Sequence, residues 1–166
     1  MSIQRSMRAV SWVICLSLAS ALSGGSALGN AQGAPPGEVI EVIKERVDNF
    51  RKIGKAFKRI RDGLRTQETP VTTFQESAAQ IESLGSQILS WFPPGTDVGQ
   101  THAKGAVWSD HATFEEAQKT FYAEAQRMRQ VAQSGDRAAL ASQYRALGRS
   151  CKNCHDTFRG KVDDNL

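Results

Sequence analysis

The chain is 166 residues long, 40% hydrophobic and 23% charged, with 21 Lys or Arg against 17 Asp or Glu and a formal charge of +4. That length suits one domain built on one core. No fold signature for nucleic-acid binding accompanies the charge, which argues against a nucleic-acid partner.

Residues 1–29 have the make-up of a secretory signal: Arg5 and Arg8 start it, Ala9 to Leu22 is an apolar run, and small residues follow through Gly29. The run is too short to span a bilayer comfortably and no stop-transfer pattern follows it. Ile14 before Cys15 is too bulky for lipoprotein processing. Cleavage after Gly29 or Ala31 leaves residues 30–166 as a single domain of about 135 residues in an exported, periplasmic setting. Without Arg5 and Arg8 the 21 basic residues become 19, which against 17 acidic ones is a charge of +2.

From Gly37 to Leu64 the residues Val39, Ile43, Val47, Phe50, Gly54, Phe57 and Leu64 recur at helical spacing and predict the first long helix. A second stripe, Ile40, Ile53 and Ile60, lies to one side, giving this helix more to bury than one core needs; a second subunit or a loop would cover it. Between Lys44 and Arg65 stand nine Lys or Arg against Glu45, Asp48 and Asp62, which is either a solvated helix face or a docking surface for an acidic partner. Thr73 and Glu76 form a capping box that predicts a helix to about Trp91, with Ala78, Ile81, Leu84 or Gly85, and Ile88 inward, stopped by Pro93 and Pro94. Phe92 to Ala112 is too long for idle slack in a compact domain and predicts a crossover loop over the edge of a cofactor. Thr113 and Glu116 form another capping box, opening a helix through Ser134 with Phe114, Ala117, Phe121, Ala125, Met128 and Ala132 inward. Gly135 ends that helix and Asp136 caps the last one, in which Leu140, Tyr144, Leu147, Cys151, Cys154 and Phe158 form one stripe. The prediction is an all-α protein, an antiparallel four-helix bundle with a long crossover loop between the second and third helices and a cofactor site made of inward side chains.

The strongest signal is Cys151-Lys152-Asn153-Cys154-His155, the spacing that attaches a c-type haem. Two thiols add to the two haem vinyl groups, and the histidine after the second thiol turns its imidazole to the iron. Three rival readings exist. A thioredoxin-like dithiol wants a βαβ setting that is missing here, and a structural zinc site wants four ligands although the only other cysteine, Cys15, lies in the signal. A plain Cys151–Cys154 disulfide remains as the third.

Three stretches of this chain resemble the class II c-type cytochromes, the cytochromes c′ and their low-spin relatives of the cytochrome c-556 type. They are Lys44-Glu45-Arg46-Val47-Asp48-Asn49-Phe50 with Gly54-Lys55-Ala56-Phe57-Lys58, Phe92-Pro93-Pro94-Gly95-Thr96 with Ala103-Lys104-Gly105-Ala106-Val107-Trp108-Ser109-Asp110, and Cys151 to Arg159. The resemblance implies one haem c, held through thioethers at Cys151 and Cys154, with His155 as the proximal iron ligand. It further implies that Arg46 approaches a haem propionate, that Arg159 is the basic residue on the proximal face, and that Phe50 stands where the sixth coordination site is decided. In c-556-like proteins that residue is a ligating methionine; in cytochromes c′ it is an apolar cover.

Phe50 has no donor atom, Met1 and Met7 leave with the signal, Met128 looks like core packing, and His102 and His111 look like surface histidines. A five-coordinate, largely high-spin haem follows, with nitric oxide and carbon monoxide as ligands and redox proteins as partners; the alternative is a six-coordinate, low-spin electron carrier of the c-556 type. The resemblance also implies that nitric oxide can displace His155 beside Arg159, that the protein is no enzyme, and that a homodimer through the first two helices is possible.

Overall fold

A computed structural model describes residues 36–160, so the expected export signal with Cys15 lies outside the described residues. The described chain is helical: α1 (Pro36–Leu64), α2 (Val71–Gly85), a 3₁₀ turn (Ile88–Trp91), the short α3 (Ala106–Ser109), α4 (His111–Ser134) and α5 (Arg137–Phe158). The four long helices form the antiparallel bundle that the periodicity predicts, and residues 92–105 with α3 are the crossover between α2 and α4. Along the bundle α1 packs on α2, α2 on α4 and α4 on α5, while direct packing between α1 and α5 is much sparser. No helix among the described residues is long and apolar enough to cross a membrane.

The core stripe of α1 differs from the expected one. Ile53 and Ile60, assigned to a side stripe, are buried with Val39, Ile43 and Ala56, and only Ile40 of that stripe is exposed, at 62%. Val47, Phe50, Phe57 and Leu64 are half-buried instead. The cause is that α1 borders two seams. One flank enters the common core, and the other faces α5, where Phe57 stacks on Tyr144 with ring centroids 4.2 Å apart. Ile53 and Ile60 are therefore used inside the chain, and of that stripe Ile40 alone stays exposed.

Both capping boxes are absent. α2 starts at Val71, after Pro70 at φ −58° and ψ 144°, so Thr73 already lies in the first turn and its N–H donates to the Pro70 carbonyl at 3.1 Å. α4 starts at His111 because α3 leads the backbone straight into it through Asp110 before Thr113 is reached. α2 also ends at Gly85 rather than Trp91. The Gln118 amide donates to the Gly85 carbonyl at 2.8 Å, taking the acceptor that the next helical turn would use, and the chain continues as the 3₁₀ turn. The start of α5 is as expected: Gly135 takes φ +68° to end α4, and the Asp136 carboxylate accepts from the Ala138 and Ala139 amides at 2.9 and 3.1 Å.

Candidate cofactor site

The periodicity of α5 puts Cys151 and Cys154 half-buried against the common core, whereas His155, next along the chain, is exposed. Cys151 and Cys154 are not bonded to one another, which goes against the disulfide reading. Burial pushes the Cys151 thiol up to about 11, with Cys154 adding to the effect, and burial also raises Cys154. Redox dithiols are activated by the opposite shift, so the pair does not have the electrostatics of a thioredoxin-like site. Partial burial of the imidazole, reinforced by the charge of Arg159 and opposed by that of Asp156, lowers the His155 pKa below 6.5. His155 is thus neutral at pH 7, the form that binds a metal.

On α1, Arg46 is 3% exposed and carries a charge that no carboxylate among the described residues balances. Its guanidinium donates to the Thr96 hydroxyl at 3.5 Å, the Thr96 carbonyl at 3.3 Å and the Thr101 hydroxyl at 2.9 Å, all neutral acceptors. It lies 4.5 Å from the Phe92 ring centroid and 5.7 Å from that of Trp108. Burial lowers its pKa. A buried cation surrounded by neutral acceptors fits an anionic group on a ligand, as a haem propionate is.

Phe50, one turn after Arg46, sets its ring edge-on to buried Trp91 at 5.2 Å and tilted to Phe92 at 6.2 Å. Next along that flank is Gly54, where an added Cβ would meet nothing within 4 Å. Phe50 thus stands in an aromatic cluster with Trp91 and Phe92, the latter also under the buried Arg46 guanidinium, while Cys151, Cys154 and a neutral His155 stand together near the end of α5, and these residues fit a haem. A pocket of ≈ 180 Å³ lies on the Arg46 side of this site, lined by Val42, Glu45, Arg46, Gln87, Ser90, Trp91 and Pro93, and neither cysteine lines it.

The other donors are placed as follows. Met128 is fully buried on the core face of α4 with Phe121, Ala125 and Ala132. His102 and His111 are exposed, the latter with its ring 6.3 Å from that of Phe114. Arg159 is exposed just beyond α5, and its backbone forms an isolated bridge with Ala103 of the crossover loop. Sequence reasoning assigned no role to Trp91, Thr96, Thr101 or Lys104. The quoted stretches contain Thr96 and Lys104, but nothing local to a loop residue says which helix it will touch.

The family described as Cytochrome C′ matches residues 41–159. The cytochrome c′ of Rhodocyclus tenuis is 38% identical over 131 residues, 76% of this chain and 98% of that one. Among solved structures, cytochrome c′ from Rubrivivax gelatinosus superposes with a TM-score of 0.67 at 33% identity, covering 77% of this chain and 99% of its own. A nitric oxide complex of a mutant cytochrome c prime from Alcaligenes xylosoxidans superposes with a TM-score of 0.68 at 26% identity, over 74% and 97% of the two chains. The chain belongs to the cytochrome c′ family and carries covalently attached haem c.

Proposed function

We propose that this is an exported, non-catalytic cytochrome of residues 30–166 that transfers electrons and binds nitric oxide or carbon monoxide at an open sixth position. Cys151 and Cys154 hold the haem through thioethers, His155 is its one protein ligand, Arg46 receives a propionate and Phe50 covers the opposite face. The haem, when bound, supplies one-electron chemistry and an iron that accepts a small diatomic ligand. The observation that carries this reading is Phe50 itself: its side chain has no donor atom, and Trp91 and Phe92 fix it in place.

The chain's own residues do the selecting. A ring packed edge-on against a buried tryptophan moves only at the cost of that contact, so a ligand entering beneath it is slowed. The two rings packed on Phe50, Trp91 and Phe92, are neither acid nor base, which supports binding without turnover, since peroxide heterolysis needs both. The nitric oxide complex of the Alcaligenes xylosoxidans relative supports the same ligand class. Arg159 stands four residues after His155, where it would meet a ligand on the proximal side.

Absorption spectra of the oxidised and reduced holoprotein test this reading, with carbon monoxide and nitric oxide added in turn. A high-spin spectrum that shifts with gas is the expected result. A sharp low-spin spectrum indifferent to carbon monoxide would establish the c-556-like alternative, with Met128, His102 or His111 on the iron. Phe50→Ala is expected to accelerate carbon monoxide association by on the order of tenfold or more, as removal of an aromatic contact pair implies. An unchanged rate shows that the ring is no gate.

A further inference from the structure

Direct packing joins α1 to α5 where Phe57 stacks on Tyr144 and where Gly148 lets the Phe57 ring approach, since a Cβ there would come within 3.3 Å of it. A second connection between the same two helices runs through the crossover loop. Arg46 on α1 donates to the Thr101 hydroxyl at 2.9 Å, and that oxygen also accepts from the Ala103 amide at 3.1 Å. At His102 and Lys104 the same loop is bonded to the end of α5. The Lys104 amide donates to the Phe158 carbonyl at 2.9 Å, the Gly160 amide to the His102 carbonyl at 2.7 Å, and Lys104 Nζ to the Asp156 carbonyl at 2.9 Å.

These bonds matter because of where α5 ends. The last four carbonyls of a helix have no partner within it, and α5 stops three residues after His155. Arg159 N–H takes the His155 carbonyl at 3.0 Å, and Lys104 takes two of the other three, one through its amide and one through its ammonium. The turn that carries His155 is thus capped by a residue 52 positions away along the chain. Thr101 is the link that ties this cap to Arg46.

We propose that Thr101 is a positioning residue, the anchor of a strap from residue 101 to residue 104 that ties the Arg46 guanidinium on α1 to the His155 turn of α5. The strap sets the separation of the two walls of the haem seam and holds the ligand helix against fraying. Arg46 keeps the Thr96 carbonyl when Thr101 is altered, so loss of the hydroxyl releases the strap without stranding the charge. This inference rests on His155 being the iron ligand.

The test uses the holoprotein as Thr101→Val, Thr101→Ser and Lys104→Met, with two readouts: hydrogen exchange of the Gly160 amide, and the electron paramagnetic resonance signal of the oxidised haem. The signal reports ligand geometry whether the iron is five- or six-coordinate. Thr101→Val is expected to speed Gly160 exchange by on the order of tenfold, the loss of one hydrogen bond to a charged group, and to shift the haem signal. Thr101→Ser, which keeps the hydroxyl, restores both, and Lys104→Met shifts the signal in the same direction. Wild-type exchange at Gly160 in Thr101→Val overturns the proposal. Should the valine variant fail to fold, a Lys104→Met protein identical to wild type in both readouts overturns it equally. His155→Ala separates the two readings: an unaltered haem signal there overturns the ligand assignment, whereas unaltered Gly160 exchange in Thr101→Val overturns the strap alone.

Discussion

Arg46, Phe50 and His155 owe their properties to what surrounds them. Arg46 is charged and buried with only neutral acceptors, an arrangement that is costly unless an anion completes it. His155 is kept neutral by partial burial and by Arg159, so its lone pair is available without competition from a proton near pH 7. Met128 stands apart from these, with no exposed surface and only core neighbours on its helix face. Met128→Leu conserves volume and is expected to cost under about 1.5 kcal/mol while leaving the haem spectrum unchanged. A lost low-spin signal in that variant, read by absorption spectroscopy, would make Met128 the sixth ligand.

Among the elements, α5 is the one that the site depends on most, and its two ends are secured differently. Its start is local: Asp136 accepts from two amides of the first turn, directly after a left-handed Gly135. Asp136→Ala is expected to lower stability by about 1 kcal/mol, the usual value of an N-cap, seen as a lower denaturant midpoint with an unchanged slope. Its end is not local, because the loop supplies the cap. That contrast explains the unequal success of sequence reading along the chain. Asp136 was legible because capping acts over two or three residues. The capping boxes at Thr73 and Thr113 failed because Pro70 and the short α3 had already set the backbone on a helical course two residues earlier.

At the scale of the molecule the bundle has three well-packed seams and one loose one, between α1 and α5. The stack of Phe57 on Tyr144 is its closest aromatic contact. Burial holds the Tyr144 phenol above its ordinary 10.0, with smaller effects from Arg61, which works against the shift, and Asp62, which adds to it. A raised folded pKa means that the contribution of the neutral phenol is fully present below pH 10 and is lost as pH rises through the folded value. Melting temperatures measured across the alkaline range are therefore expected to fall more steeply for the wild type than for Tyr144→Phe, which keeps the stack. Equal slopes would show that the phenol is not sheltered in the seam.

The sequence by itself determined the presence of the four long helices, the attachment motif and the absence of a donor at position 50. Each depends on residues within a turn or two of one another, and the spacing of Cys151, Cys154 and His155 is covalent chemistry rather than packing. Tertiary structure alone decided which apolar stripe of α1 enters the core, because a helix bordering two seams has two apolar flanks and periodicity does not rank them. Ile53 and Ile60 went to the core and Phe57 to the α1/α5 seam for that reason. It also decided the loop's partners: Thr96 and Thr101 meet Arg46 across 50 and 55 residues, and Lys104 meets the end of α5 across 52. A hydrogen bond closed over that distance leaves no periodic or compositional trace, so only the folded chain reveals it.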